Sequence, residues 1–317
     1  MFLNYFLSVF KKNKKKDAIA WKGKVFTYEW LIKKYNEWCS FLDKNQITAG
    51  KVVVIQADFS PNSITLLLAL IEKGTIIVPM AHSIHNNKKK EFIKISQGEV
   101  YLKISKTDEV ALDFFKTTSD HTIYSSLRNQ NRPGLVLFSS GSTGKSKASV
   151  HDLTFLLEKF TEPRHSLISI NFLLYDHIGG FNTLFYMLSN AGLIVTVQER
   201  NPNYVLKLIQ KYKVQLLPTS PTFLNLVLIS EEYKNFNLSS LKMITYGTEP
   251  MPQSTLKRLN KILPDVKFLQ TYGLSEVGIL SSKSKNSESL WVKVGGEGYK
   301  TRIVDGMLEI KSKSAML

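Results

Sequence analysis

The chain has 317 residues, of which 43% are hydrophobic and 21% charged, with a formal net charge of +16. This composition is typical of an ordinary globular protein with enough chain for about two domains, and no apolar run approaches the roughly 18 residues of a membrane span. The single cysteine, Cys39, excludes a disulfide framework and a cysteine-based metal site, and it fits a reducing, cytoplasmic compartment.

The first 133 residues alternate between helix and strand patterns. Residues 1–10 predict an amphipathic helix that docks on the body of the protein, with weak contact to a membrane surface as the alternative. Helices are predicted over 28–42, 60–71 and 86–96, and strands over 52–56, 75–79 and 100–104. Residues 108–133 are irregular and polar, and they predict a connection between two lobes. This alternation indicates βαβ units and a parallel sheet covered by helices.

The same alternation continues through residue 289. Strands are predicted over 135–138, 167–174, 193–197, 214–217, 241–246 and 266–270, and helices over 151–160, 181–188, 202–212, 221–229 and 254–263. Residues 281–289 predict a polar loop, and short strands with glycine turns follow from residue 290. We therefore predict an α/β fold with two helix-covered sheets: a first lobe over 1–133, a second over 134–289 and a small β subdomain over 290–317.

A loop rich in small residues follows the strand predicted over 135–138. Residues 139–144 are serine, threonine or glycine, and Lys145 and Lys147 come next. Backbone N–H groups in such a loop can surround an anion, and hydroxyls and lysines add donors and charge, so the loop predicts a polyphosphate site. A Walker A loop would need glycine where Ser139 stands, which sets a P-loop NTPase aside. A serine- and glycine-rich surface loop is the alternative.

Three stretches, in order, resemble motifs of the adenylate-forming superfamily, which includes acyl-CoA synthetases, aryl-acid ligases, adenylation domains and luciferases. Residues 138–148 resemble its phosphate loop, with Ser146 in place of the usual proline and Ala148 in place of glycine. Residues 246–251 resemble the turn that lines the adenine, and 270–276 resemble the Tyr-Gly-x-Thr-Glu motif. Residues 291–317 resemble the end of the large amino-terminal domain.

The resemblance implies ATP-dependent activation of an aryl, fatty or other aliphatic acid to an acyl-adenylate, with release of pyrophosphate. A thioester with coenzyme A or a carrier-protein thiol would follow. It assigns Lys147 to the β- and γ-phosphates, Ser275 to the α-phosphate, Glu276 to Mg²⁺ and Tyr272 to adenine stacking. The other nucleotide-binding candidates are Ser139, Ser140, Gly141, Ser142, Thr143 (also a Mg²⁺ ligand), Gly144, Lys145, Thr248, Glu249, Pro250, Thr271 and Gly273. Glu249 could instead be a structural carboxylate of its turn.

The segment from Asp176 to Gly180 resembles the His-x-Gly-Gly segment of acyl- and aryl-CoA ligases, in which the histidine borders the acyl pocket. This resemblance makes His177 a catalytic and pocket candidate. The other pocket candidates are Gly179, Tyr246, Gly247 and Leu274. In amino-acid-activating domains an aspartate in this segment pairs with the substrate amine, and Asp176 could do so. The register favours His177 at the pocket wall, and hence an acid without an amino group.

Two features that full-length relatives carry are missing from the sequence. These are a Thr-Gly-Asp ribose motif and a small carboxyl-terminal domain with a catalytic lysine. The resemblance therefore leads us to expect a shortened chain with impaired activity. The alternative function is a non-catalytic basic module for nucleic acid or an anionic surface, suggested by the lysine runs at 11–16 and 88–90. Because the lysines are scattered and no nucleic-acid-binding motif is present, we expect no nucleic-acid partner; an acidic carrier protein would suit the charge.

Overall fold

The computed structural model describes residues 2–140, 146–296 and 298–317. The helices are α1 (Asn4–Lys12), α2 (Tyr28–Lys44), α3 (Pro61–Glu72), α4 (Asn86–Ser96), α5 (Ile123–Asn129), α6 (Leu153–Glu158), α7 (Ile178–Ser189), α8 (Pro202–Tyr212), α9 (Pro221–Ser230) and α10 (Gln253–Ile262), with a 3₁₀ turn at Glu232–Lys234. The strands of the two large sheets are β1 (Asp17–Trp21), β2 (Lys24–Thr27), β3 (Val52–Gln56), β4 (Ile76–Met80), β5 (Val100–Ile104), β6 (Val110–Phe114), β7 (Gly134–Ser140), β8 (Ser146–Asp152), β9 (Ile168–Asn171), β10 (Leu193–Thr196), β11 (Leu216–Thr219), β12 (Met243–Tyr246) and β13 (Lys267–Gln270). Six further strands pair into three two-stranded sheets: β14 (Gly273–Leu274), β15 (Gly278–Ile279), β16 (Ser281–Ser284), β17 (Val292–Gly295), β18 (Tyr299–Val304) and β19 (Met307–Ser312).

Six strands form the first sheet, in the order β6-β5-β3-β4-β7-β8. The four central strands are parallel, and β6 and β8 pair antiparallel at the two edges. Every residue of β3 and β4 is buried, because both faces of these apolar, largely β-branched strands are covered. The predicted α/β architecture with two helix-covered sheets is confirmed, and the strands predicted at 52–56 and 100–104 have the predicted bounds.

Seven strands form the second sheet, in the order β13-β12-β11-β9-β10-β1-β2. All are parallel except β2, which closes the edge as the antiparallel partner of β1. The two sheets therefore exchange strands along the chain: β1 and β2 join the second sheet, while β7 and β8, which carry the phosphate loop, join the first. A division at residue 133 does not describe these sheets, and the domain limits stay a prediction.

Helices cover both sheets, and one continuous core fills the space between them. This core includes the apolar sides of α1, α2, α3 and α7, while α4 and α5 cover the outer face of the first sheet and α8, α9 and α10 that of the second. The predicted docking of the first helix is confirmed, because Phe6, Leu7 and Phe10 are buried in the shared core. No helix of the described ranges is long and apolar enough to cross a membrane.

Three local predictions were wrong. Residues 108–133 contain β6 and α5, and the backbone of β6 pairs with β5 to extend the first sheet. The loop predicted at 281–289 contains β16, which is paired with β17. The helix predicted from residue 151 begins at Leu153, because His151 and Asp152 end β8. Both missed strands lie at a sheet edge and are largely solvent-accessible, so backbone pairing rather than a buried apolar run defines them.

The helical pattern around Cys39 predicts a buried structural thiol. It lies in α2 as predicted, but its side chain is only half-buried. Burial raises the pKa of this thiol, which keeps it in the protonated, less reactive form.

Candidate active site

The hairpin of β7 and β8 carries the phosphate loop. Its register runs from Gly134 opposite Asp152 to Ser140 opposite Ser146, with Ser139 opposite Lys147. The loop residues Gly141, Ser142, Thr143, Gly144 and Lys145 lie outside the described residues. Lys147 is the second residue of β8, and its side chain is exposed. Since side chains alternate along a strand, Lys147 lies on the same face of β8 as His151.

His151 connects this hairpin to the Tyr-Gly-x-Ser-Glu segment. Its Nε2 lies 2.5 Å from the Ser275 carbonyl oxygen, and its Nδ1 lies 3.1 Å from the Ser314 carbonyl oxygen. The residue is fully buried, and burial lowers the pKa of the imidazole, although the two carbonyl oxygens and Glu276 act in the opposite direction. No sequence motif pointed to His151. The signal available was its position four residues after Lys147 on a strand, where it shares the lysine's face.

The segment that follows β13 presents the other charged candidate. Glu276 is half-buried, and its carboxylate makes no hydrogen bond or ion pair with any residue in the described ranges. Its backbone carbonyl accepts a hydrogen bond from the Met316 N–H at 2.7 Å, which holds the segment against the end of the chain. A free, half-buried carboxylate oxygen is the ligand type that Mg²⁺ prefers, so this residue fits the metal role that the resemblance implies.

The turn after β12 lies against the same segment. Thr271 donates to the Tyr246 carbonyl oxygen both from its N–H, at 2.7 Å, and from its hydroxyl, at 3.1 Å. A Cβ added at Gly247 would lie 2.5 Å from Thr271 Oγ1, so glycine permits this close approach. Thr248 has a φ of +75°, a costly conformation for a β-branched residue that is characteristic of functional sites. The structure thus brings the predicted turn and motif together.

Glu249 has a structural contact of its own. Its Oε1 accepts a hydrogen bond from the Thr222 N–H at 2.7 Å, at the first turn of α9. The Thr222 hydroxyl is the main cause of the lowered pKa of this carboxyl. The geometry favours the turn-carboxylate alternative, and the nucleotide role of Glu249 stays a prediction. Its neighbours Thr248 and Pro250 are exposed, as is the pocket candidate Leu274, whereas Tyr246 is buried and Tyr272 and Gly273 are half-buried.

His177 is the N-cap residue of α7. Its Nδ1 accepts a hydrogen bond from the Gly179 N–H at 2.9 Å, so the neutral ring carries its proton on Nε2, which no residue of the described ranges accepts. Burial lowers the pKa of this imidazole. A Cβ added at Gly180 would lie 2.3 Å from the Leu174 carbonyl oxygen, so this turn requires glycine there. Helix α7 packs beside β15, two residues after Glu276, which places the His177 helix next to the motif segment.

Asp176 joins this helix to the first sheet. Its Oδ2 accepts a hydrogen bond from the Ala81 N–H at 3.0 Å, just beyond the end of β4. Burial raises the pKa of the Asp176 carboxyl, and the Ala81 amide opposes this shift. One carboxylate oxygen is therefore already used in holding the two sheets together.

Replacing His177 with asparagine tests the titration of the buried ring. Because the folded-state pKa is below the ordinary value of about 6.5, the unfolded chain binds more protons below that pH. The neutral His177 ring therefore contributes fully to the unfolding free energy above pH 6.5, and this contribution is lost as the pH falls from 6.5 through the folded-state pKa. Asparagine keeps the cap without titrating. We expect His177→Asn to lose less unfolding free energy than the native chain between pH 8 and pH 5.5 in urea denaturation.

His177→Ala is the matched control, because it removes the cap as well as the titration. We expect it to lower the unfolding free energy by about 1 kcal/mol at pH 8, where the asparagine variant stays near the native value. Equal pH dependence in the native chain and His177→Asn would contradict the lowered pKa.

Comparison with known proteins identifies the family. A family model described as AMP-binding enzyme matches residues 8–306. The chain belongs to the AMP-binding enzyme family. Among curated AMP-binding relatives it is 28% identical over 192 residues to 4-coumarate--CoA ligase-like 9 of Arabidopsis thaliana, which covers 56% of this chain and 34% of that protein. It is 27% identical over 207 residues to 4-chlorobenzoate--CoA ligase of Pseudomonas sp. (strain CBS-3), covering 57% and 37%.

A solved structure has the same fold as this chain. The Klebsiella oxytoca NpsA N-terminal subdomain in complex with 3-hydroxyanthranilyl-AMSN matches with a TM-score of 0.80 at 15% identity, covering 99% of this chain and 87% of that one. At this identity the likeness shows the fold alone. The aligned part spans about a third of the length of the curated relatives, 34% and 37% for the two CoA ligases.

Proposed function

We propose that this AMP-binding family member activates a carboxylic acid with ATP, forming an acyl-adenylate and releasing pyrophosphate. One observation carries the proposal: His151 Nε2 lies 2.5 Å from the Ser275 carbonyl oxygen, which ties the Lys147 strand to the Ser275–Glu276 segment. This contact supports placing the Lys147 cation of the phosphate-loop hairpin and the Glu276 carboxylate of the motif in one site. The family match supports the reaction class, and the arrangement supports which residues take part.

The chemistry of the reaction accounts for these residue types. A carboxylate that attacks the α-phosphate of ATP is repelled by the phosphate charges, so catalysis depends mostly on positioning and charge neutralisation. Lys147 would neutralise the β- and γ-phosphates, and the Ser275 hydroxyl would donate to the α-phosphate. Tyr272 would stack on the adenine. Mg²⁺ bound with ATP would add further positive charge at the phosphates, and Glu276 is the described residue suited to hold it.

We propose an aryl or aliphatic acid without an amino group as the substrate. Asp176, the candidate partner for a substrate amine, already accepts the Ala81 N–H. We propose that the Nε2–H of His177 faces the acyl pocket, and that Gly179, Tyr246, Gly247 and Leu274 are further lining residues. The acceptor that follows would be the thiol of coenzyme A or of a carrier protein. The net charge of +16 is suited to both of these anionic partners.

Thermal melting with Mg·ATP and with duplex DNA separates this function from a basic binding module. A ligand that binds only the folded state adds about 2.7 kcal/mol to the unfolding free energy at a concentration of 100 times its Kd, and so raises the melting temperature. We expect Mg·ATP to raise the melting temperature and DNA to leave it unchanged. Stabilisation by DNA alone would contradict the proposal.

A panel of carboxylic acids then tests the substrate class. With hydroxylamine as the acceptor, we expect ATP-dependent hydroxamate formation from benzoates, cinnamates or fatty acids, accompanied by pyrophosphate release. Amino acids of matched size serve as the comparison. Turnover of amino acids alone would contradict the proposed substrate class.

A further inference from the structure

The basic helix α4 packs beside the hairpin that carries the phosphate loop. Phe92 of α4 stacks on Phe138 of β7, with ring centroids 3.8 Å apart and an interplanar angle of 6°. The neighbouring strand β8 is the edge of the first sheet, so the backbone groups on its outer side have no strand partner. Helix α4 therefore packs on the face of this hairpin through Phe92 and reaches the beginning of the edge strand β8 through Glu91.

Three residues at the beginning of β8 and on α4 each contact the other two. The Ser146 N–H donates to Glu91 Oε1 at 3.1 Å, and Lys88 Nζ donates to Ser146 Oγ at 3.0 Å. Lys88 also pairs with Glu91 Oε2 at 2.9 Å. We call Lys88, Glu91 and Ser146 the Ser146 clasp. The hydrogen bond from Lys88, followed by those from Ser146, holds the pKa of Glu91 below its usual range, so the carboxylate is ionised at neutral pH.

The clasp depends on a residue at which this chain departs from the motif it resembles. The usual proline at the Ser146 position has no N–H and no hydroxyl, so neither bond to α4 could form. Lys88 and Glu91 lie three residues apart on one face of α4, so both can reach Ser146. Helix α4, which lies outside the recognised motifs, thus contacts the residue that follows the phosphate loop.

We propose that Lys88 and Glu91 are positioning residues that fix the end of the phosphate loop and so set the place of Lys147 for the triphosphate of ATP. The proposal rests on the proposed function. Ser146 immediately precedes Lys147, whose backbone is held on its inner side by the pairing with Ser139. The clasp holds the outer side at Ser146. Because the pairing of β7 with β8 does not by itself fix Lys147, we expect loss of the clasp to let Lys147 move.

Variants of each member test the clasp through nucleotide affinity. We expect Glu91→Ala, Lys88→Met and Ser146→Ala, which removes the hydroxyl that Lys88 contacts, each to raise the Kd for Mg·ATP about three- to tenfold, as expected for a charge-assisted hydrogen bond that is partly exposed. The KM for the acid should stay unchanged, because the clasp acts at the phosphate loop. Lys88→Arg and Glu91→Gln keep a donor and an acceptor respectively, and should recover part of the affinity.

Lys90→Met is the matched control. Lys90 is exposed on the same helix and makes no ion pair with the residues that the structure describes. If it weakens ATP binding as much as Lys88→Met does, the general positive field of α4 is responsible and the clasp is refuted. If the native chain binds Mg·ATP and all the clasp variants bind it equally well, the clasp is also refuted while the proposed function stands.

Amide hydrogen exchange without nucleotide provides a second, independent measurement. We expect Glu91→Ala to speed exchange at the Ser146 amide about tenfold or more while leaving the β3 amides unchanged, because the Ser146 N–H loses its acceptor and with it its protection. Unchanged exchange would overturn the clasp whatever the nucleotide result. If instead the native chain fails to bind Mg·ATP, the proposed function fails, and the role of the clasp in binding the triphosphate fails with it.

Discussion

Replacement of Lys147 with alanine is expected to lower the rate of acyl-adenylate formation on the order of 100-fold, the usual cost of removing one charge-stabilising donor from a transition state. Lys147 has an exposed side chain at the beginning of β8. It lies on the face of this strand from which His151 contacts Ser275. Stability should stay within about 0.5 kcal/mol of the native value, because the side chain is exposed. ATP–pyrophosphate exchange, with the melting temperature recorded in parallel, measures both quantities.

Lys300→Ala controls for the loss of one positive charge. Lys300 is also an exposed lysine on a strand, and it lies in β18, outside the predicted site. We expect exchange in this variant at the native rate. A Lys147→Ala protein that still exchanges at the native rate would remove Lys147 from the catalytic site, whatever its position on the hairpin.

Replacement of Glu276 with glutamine is the second large effect that we expect. The change keeps the size of the side chain and removes the charge, so a Mg²⁺ ligand is lost with little effect on packing. We expect pyrophosphate exchange to fall on the order of 100-fold at low Mg²⁺, with partial recovery as Mg²⁺ is raised. A titration of exchange rate against Mg²⁺ at fixed ATP distinguishes a metal ligand from a residue that only shapes the site.

Glu288→Gln is the control for this series, because Glu288 is an exposed carboxylate in the loop before β17. Its Mg²⁺ titration should overlay that of the native chain. A Glu276→Gln protein with a uniformly lower rate and an unchanged Mg²⁺ midpoint would show that Glu276 acts without the metal, and the ligand assignment would be wrong.

The sequence predicted those elements whose own side chains determine them. The strand Val52–Gln56 begins with a continuous apolar run, and the helix Pro61–Glu72 has proline at its first position and a capping box formed by Ser60 and Ser63. The strands β1 and β2 went unpredicted, because their places depend on a distant partner rather than on a local pattern: Ile19 pairs with Ile194. The sequence likewise could not predict which sheet contains β7, since the residue pattern of a strand does not determine which strand it pairs with.

The candidate site divides in the same way. Lys147 and Glu276 were found because each lies within a recognisable motif. His151 was not, because its role is a contact between residues far apart in the chain, with Ser275 and with Ser314. The hydrogen bond that Glu249 accepts from Thr222 is a similar case, since the sequence shows the turn but not the helix beside it. Long-range geometry, rather than residue type, decides these roles.

The pairing of β1 with β10 also affects how the chain folds during synthesis. The hairpin of β1 and β2 leaves the ribosome early, yet the strand beside which it belongs contains Ile194. At about 5 to 20 residues per second, it waits roughly 10 to 35 seconds for that partner. Meanwhile the first sheet, which ends at Asp152, has all its strands. The order of folding is thus the reverse of the order of translation for this segment, and the exposed hairpin edge is where a nascent chain would first associate wrongly.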